Sequence, residues 1–204
     1  ELTPGRKYGW LPAATVGAGA DAQLVVSDGN AKITLLKLVA EPEPHLEATA
    51  SVDVGPSPLV TRIATVGSTS FVGNESGRLA RFTAPELTPG EATDLGGHIA
   101  WGPFTVGDGV LLATDANELL MVGVDGAVKW RQPLAHGQVG GEPLVADGQV
   151  YLLHPLGVSK VAIGDGAEAG FVEIGQTLSA GPVAFAGRLV VTASDGTLLV
   201  VNLP

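Results

Sequence analysis

The sequence contains no cysteine. That excludes a disulfide framework, a thiolate metal site and a thiol nucleophile, and it is compatible with any compartment. Positive charge is scarce: 11 Lys and Arg stand against 21 Asp and Glu, for a formal net charge of −10. An acidic surface repels phosphate backbones, and the basic residues are scattered, so nucleic-acid binding is disfavoured. No uninterrupted apolar run approaches the roughly 18 residues of a membrane helix, so a soluble protein without a membrane span is expected. The chain opens at Glu1 with neither an initiator Met nor a signal peptide, the expectation for a processed or trimmed product. No segment sustains helical periodicity either. The expected class is all-β.

What is abundant is glycine, proline and short aliphatic runs. The 204 residues are 45% hydrophobic, with 29 Gly and 14 Pro, enough apolar material to bury a core. A proline followed by a short apolar stretch recurs at Pro12, Pro58, Pro103, Pro143 and Pro182, at intervals of 46, 45, 40 and 39 residues. That spacing is the length of a four-stranded propeller blade. After each proline strand comes a turn, as Asp-Gly at Asp108-Gly109 and Asp147-Gly148 and as Ala186-Gly187 in the last repeat. Asp-Gly between β-branched runs is a hairpin signal, because Gly and, less readily, Asp tolerate positive φ. Second strands follow at Leu24 to Val26, Ser70 to Val72, Val110 to Leu112, Val150 to Leu153 and Leu189 to Val191, and third strands begin at Ile33, Arg78, Leu119, Ser159 and Thr197. A more polar fourth strand ends the unit, as at Val128 to Arg131.

These patterns predict one β-propeller domain, residues 1–204, of five four-stranded antiparallel blades. The repeats span approximately 11–54, 55–99, 100–140, 141–179 and 180–204 plus 1–10. The fifth repeat stops after its third strand, and Glu1-Leu2-Thr3-Pro4-Gly5 repeats as Glu86-Leu87-Thr88-Pro89-Gly90 behind the third strand of the second. Residues about 6 to 10 are therefore expected to complete the last blade and close the ring, pairing an edge that invites aggregation. A piece cut from a longer array at the same phase would show the same ends, and that alternative stays open.

The stretch Gly123 to Val201 resembles the quinoprotein alcohol dehydrogenase-like, or PQQ-like, β-propeller repeats, including those of BamB-type outer-membrane assembly factors. Gly123-Val124-Asp125-Gly126-Ala127-Val128-Lys129-Trp130 is similar to the family's blade ending, without its threonine. Gly141-Glu142-Pro143 to Tyr151 and Gly181-Pro182 to Val191 resemble its blade opening, and Ser194-Asp195-Gly196-Thr197-Leu198 its hairpin. The resemblance is good over the last two repeats, fair over the third and weak over the first two. It implies a packing role for Trp130 between blades, and an extracytoplasmic location in the periplasm or at the cell surface. The quinone enzymes of that superfamily hold their cofactor with a vicinal disulfide, a stacked tryptophan, a Ca²⁺ site and an aspartate base. With no cysteine and no aspartate in a matching context, the chain sides with the non-enzymatic members, and no cofactor is expected.

Candidate chemistry is thin. Asp28, Asp108, Asp125, Asp147, Asp165 and Asp195 all precede Gly and read as turn residues bonding local backbone. No carboxylate pair recurs at matched positions, as a glycosidase would need. His45, His98, His136 and His154 have no metal-ligand spacing, and no serine sits in a nucleophile elbow. Trp10 and Trp101, each two residues before a blade-opening proline, read as packing residues or as aromatics near the ring face. Together with His98 and His136, which precede blade openings, and Glu142, placed to line the axial mouth, they form the candidate interaction face. The expected function is a non-catalytic module binding a protein or peptide. A degenerate quinoprotein-like or carbohydrate-active propeller enzyme is the alternative, and a purely structural domain the third.

Overall fold

The computed structural model describes residues 9–202. Apart from one short 3-10 turn at Gly19–Asp21, its regular structure is all β-strand. The strands form five antiparallel sheets in which neighbours in space are neighbours in sequence. The first sheet comprises β1 (Ala14–Val16), β2 (Gln23–Ser27), β3 (Lys32–Val39) and β4 (His45–Asp53). In the second, β5 (Ala64–Val66), β6 (Thr69–Gly73) and β7 (Arg78–Thr83) are followed by two fragments, β8 (Thr88–Pro89) and β9 (Thr93–Asp94), both paired to β7. The third holds β10 (Ile99–Val106), β11 (Gly109–Thr114), β12 (Glu118–Gly123) and β13 (Val128–Pro133). The fourth holds β14 (Gly140–Ala146), β15 (Gln149–His154), β16 (Gly157–Ala162) and β17 (Glu168–Glu173). Three strands make up the fifth: β18 (Leu178–Phe185), β19 (Arg188–Ala193) and β20 (Leu198–Val201).

The first hairpin of each blade shows how local chemistry sets register. Val106 pairs with Gly109, so the loop is Gly107-Asp108, with Gly107 at φ +58°. The turn therefore sits one residue before the expected Asp108-Gly109, because a two-residue loop with Gly first needs positive φ only there. In the fourth and fifth blades the loops are Asp147-Gly148 and Ala186-Gly187, with both residues at positive φ. That is the other favoured hairpin geometry.

The inner strands share an irregularity that the proline spacing only approximates. Between the pairs Ile99–Thr114 and Phe104–Leu111, β10 carries two more residues than β11. The same two-residue excess occurs between Gly140 and Leu144, and between Leu178 and Val183. In the second blade it lies between Leu59, in an isolated bridge with Asn74, and Ala64, paired with Phe71. The inner strand expected at Pro58-Leu59-Val60 therefore starts there but forms its regular part only at Ala64–Val66. Ile63, not Pro58, holds the place of Pro103, Pro143 and Pro182. Bulges of this kind bend the strand and re-aim side chains. Gly102 makes the bend possible: its φ is +87°, and a Cβ there would lie 2.8 Å from the Leu111 carbonyl oxygen.

The sheets stack face to face, and the core lies between them. One cluster joins the first and second blades through Val25, Ile33 and Leu35 against Val72 and Phe82. Another joins the second and third through Phe71 and Leu79 against Val110 and Leu120. The third and fourth meet through Leu111, Met121 and Trp130 against Val150 and Leu152, and the fourth and fifth through Tyr151 and Leu153 against Leu189 and Val191. Among the described residues no such cluster joins the fifth blade to the first. Of residues about 6 to 10, assigned from the sequence to the last blade's outer strand, 6–8 lie outside the described residues. The Gly9 amide donates to the Asp28 carbonyl and the Leu11 amide to that of Ser27, so this segment extends the first blade's inner strand.

Candidate functional site

The inner strands of the first four blades converge on a cavity of about 350 Å³. Its wall includes Ala13 and Ala14 from the first blade, Arg62 to Thr65 from the second, Pro103 to Thr105 from the third, and Glu142 and Pro143 from the fourth. Arg62 Nη1 donates to Glu142 Oε1 at 2.8 Å, a bond between the second and fourth blades. The Arg62 guanidinium carbon lies 4.3 Å from the centroid of the Phe104 ring, within cation–π range. Phe104 in turn packs on Trp101, with centroids 4.6 Å apart. Trp101 Nε1 donates to the Gly141 carbonyl at 2.7 Å, beside Glu142. Arg62, Phe104, Trp101 and Glu142 thus form one connected group spanning three blades, with the ion pair exposed, Phe104 half-buried and Trp101 buried beneath it.

Two threonines knit the same inner strands together. Thr65 Oγ1 donates to the Thr15 carbonyl at 2.9 Å, and Thr105 Oγ1 to the Thr65 carbonyl at 2.8 Å. Each hydroxyl reaches back one blade, which fixes the spacing of the wall beneath Arg62.

The sequence-derived candidates separate into distinct environments. Glu142 stands in the wall of the cavity where the inner strands converge. Trp101 is 8% exposed and works as a packing anchor, whereas Trp10 is 57% exposed. The Trp-x-Pro pattern is the same, but of the two readings offered for Trp10 its exposure favours a surface aromatic over a packing residue. His98 is held locally, its amide and Nδ1 both bonded to the Asp115 carboxylate at 2.9 and 3.1 Å. His136 stacks on Phe171 at 3.6 Å, with Nε2 3.1 Å from Glu168 Oε1. The two histidines sit in separate clusters of the third and fourth blades.

Sequence reasoning passed over Arg62 and Phe104, because nothing local distinguishes them. It also set His154 aside with the other histidines. His154 is buried, with Nε2 2.8 Å from Ser159 Oγ and Nδ1 3.0 Å from the Gly137 carbonyl. Burial pushes its pKa down, opposed by the bond to Gly137 and aided by the nearby His136. A cavity of about 30 Å³ beside this pair is too small for a substrate. Four of the aspartates behave as read: Asp28 accepts from the amides of Asn30 and Lys32, Asp125 and Asp165 from those of Ala127 and Ala167, and Asp195 from that of Thr197, which lowers the Asp195 pKa. Asp108 instead pairs with Lys129 at 2.7 Å, which lowers its pKa. Among the described residues, no group of three His, Asp or Glu side chains is placed to hold a metal ion, and no helix is long and apolar enough to cross a membrane.

Residues 49–163, more than half of the chain, match the family model described as outer membrane protein assembly factor BamB. The chain belongs to this family. Solved structures also resemble the chain, a BamB among them. BamB from Moraxella catarrhalis superposes with a TM-score of 0.70 at 15% identity, over 92% of this chain and 56% of that one. The chain thus spans little more than half of that BamB structure. BBS1N, crystallised in complex with ARL6DN, gives 0.74 at 15% identity, over 100% of this chain and 68% of that one. The C-terminal WD40 domain of Sif2 gives 0.65 at 16% identity, over 96% and 59%. At these identities the likeness shows the fold alone. No curated protein sequence matches the chain.

Proposed function

We propose that this BamB-family chain is a non-catalytic interaction module, acting as a single propeller unit, and that its axial mouth engages an extended segment of a protein or peptide. The observation that carries this reading is the exposed Arg62–Glu142 pair set over the half-buried Phe104 and the buried Trp101. An oriented guanidinium, a carboxylate and an apolar floor together match a peptide's own mixture of groups, and a rigid scaffold holds them at no ordering cost on binding. That a propeller of similar fold, BBS1N, is crystallised with a protein partner supports the class. The family's description as an outer-membrane assembly factor supports an extracytoplasmic location, in the periplasm or at the cell surface.

The enzyme alternative is less well supported. A carbohydrate-active site needs two carboxylates flanking the scissile bond. Glu142 is the one carboxylate among the residues described as lining the mouth, and Arg62 already holds it.

Selection of a displayed peptide library on the purified chain tests the proposal, with Arg62→Ala and Glu142→Ala as counter-targets. Both side chains are exposed, so the variants should melt like the parent, exposed ion pairs being worth about 0–1 kcal/mol. Peptides enriched on the parent and at least about tenfold weaker on either variant, a loss of ~1.4 kcal/mol, support the mouth as the site. Enrichment indifferent to both substitutions refutes it.

A further inference from the structure

The six Asp-Gly dipeptides of the chain share one latent reaction. The glycine amide nitrogen can attack the side-chain carboxyl carbon of the aspartate before it, and glycine, lacking a Cβ, obstructs that attack least. The reaction needs an uncommitted amide and a carboxyl group free to turn and to take up a proton. Five of the six dipeptides are deprived of both. The Gly29 amide donates to Ser27 Oγ at 3.1 Å, and those of Gly126, Gly166 and Gly196 donate to the carbonyls of Gly123, Ala162 and Ala193 at 2.9, 3.0 and 3.0 Å. Gly109 pairs with Val106 at the closing position of its hairpin. The carboxylates are committed too. Asp28, Asp125, Asp165 and Asp195 each accept from the backbone amide two residues on, and Asp108 pairs with Lys129. Such bonds fix the side chain and favour its ionised form, which has no hydroxyl to lose as water.

Asp147-Gly148 differs in both respects. The two residues are the whole loop between β14 and β15, at φ +50° and +71°, and the pair Ala146–Gln149 closes it. Gly148 is held through its carbonyl, which accepts from the Ile163 amide at 3.3 Å. Among the described residues, neither the Gly148 amide nor the Asp147 carboxylate has a partner, and both residues are exposed. A Cβ on Gly148 would meet nothing within 4 Å, so the loop has room to turn. We propose that Asp147-Gly148 is a site of spontaneous covalent modification, where Asp147 isomerises to isoaspartate through a cyclic imide while the other five dipeptides persist. Gly148 N bonds to the Asp147 carboxyl carbon, and the carboxyl oxygen leaves as water with the amide proton. Water then opens the imide at the main-chain carbonyl. The chain afterwards runs through the former side-chain carbon, and a free carboxylate stands on Cα. One water leaves and one returns, and nothing is oxidised or reduced. The added backbone carbon falls in the loop that ends β14, the strand carrying Glu142.

Prolonged incubation of the folded chain at neutral pH and physiological temperature, followed by peptide mapping with fragmentation that separates isoaspartyl from aspartyl residues, tests the proposal. The expected result is isoaspartate at Asp147 several-fold above the level at each of the other five aspartates. The same incubation in denaturant should level the six sites, because the bonds that protect five of them belong to the fold. Asp147→Glu should abolish the product, since the larger ring it requires closes far more slowly. Asp147→Asn, a residue this loop type favours, should react faster at the same position, with ammonia as the leaving group. Circular dichroism checks that both variants keep the fold. Equal isoaspartate at all six sites of the folded chain, or a different site in the lead, overturns the proposal. So does a folded Asp147→Asn chain that keeps its side-chain amide as long as Asn30, Asn74 and Asn117 keep theirs.

Discussion

Trp130 Nε1 donates to the Ile163 carbonyl at 2.8 Å, and its six-membered ring lies where a Cβ on Gly166 would stand 2.5 Å away. The indole thus locks the outer strand of the third blade to the loop between the third and fourth strands of the fourth.

Trp130→Ala is expected to destabilise the protein by about 3–5 kcal/mol, since the site is walled by backbone and collapses poorly. Trp130→Phe should cost less, mainly the lost hydrogen bond, at about 1 kcal/mol. Denaturant titrations of the two variants check both values; a Trp130→Ala loss below about 1 kcal/mol contradicts the packing role.

The two Trp-x-Pro segments should respond unequally. Trp101→Ala removes a buried ring that supports Phe104 and bonds Gly141, for a loss of about 3–5 kcal/mol. Trp10→Ala, at a mostly exposed site, should cost under about 1 kcal/mol. Equal losses in thermal or denaturant unfolding would place Trp10 in an interface after all.

His154 makes stability depend on pH. Its folded-state pKa is lowered from the ordinary 6.5, chiefly by burial. The unfolded chain therefore binds the proton more readily than the folded one. The contribution of neutral His154 is fully present above the unfolded value of about 6.5 and declines as pH falls below it, until the folded-state pKa is reached. Melting curves between about pH 8 and 5 should show His154→Gln losing less stability across that interval than the parent. Parallel profiles would contradict the assignment. The neighbouring His136 and Glu168 remain in both proteins, so the two profiles differ by His154 and its coupling to them.

Two glycines at positive φ separate conformational strain from steric overlap. Gly137 has φ +80° and open space where a Cβ would stand, whereas at Gly102, φ +87°, a Cβ meets the Leu111 carbonyl oxygen. Gly137→Ala should cost about 1–2 kcal/mol, the left-handed penalty of an L-residue. Gly102→Ala should cost clearly more, because the inner-strand bulge must also move. Comparable denaturation midpoints would show that the bulge yields freely.

Much of the architecture was legible in the chain itself. The hairpin residues, the apolar runs of about forty-residue period and the missing cysteine are local or compositional facts, and strand order in a meander follows sequence order. Thus Trp130, framed by a blade-ending motif, was assigned correctly as a packing residue. Phasing was less secure where the signal was a single residue type. Pro58 imitates a blade opening, but hydrogen-bond register assigns that place to Ile63.

Composition and periodicity by themselves determined the all-β class, the repeat, the turn chemistry and the exclusion of thiol and disulfide chemistry, because each depends on residues near one another in sequence. Only the tertiary structure decided that Arg62 and Glu142, eighty residues apart, meet over Phe104. It also decided that Trp101 is buried while Trp10, Val183 and Val200 are exposed. Those outcomes depend on which sheet stacks against which. That stacking is set by apolar faces summed over whole blades, and no local pattern records it.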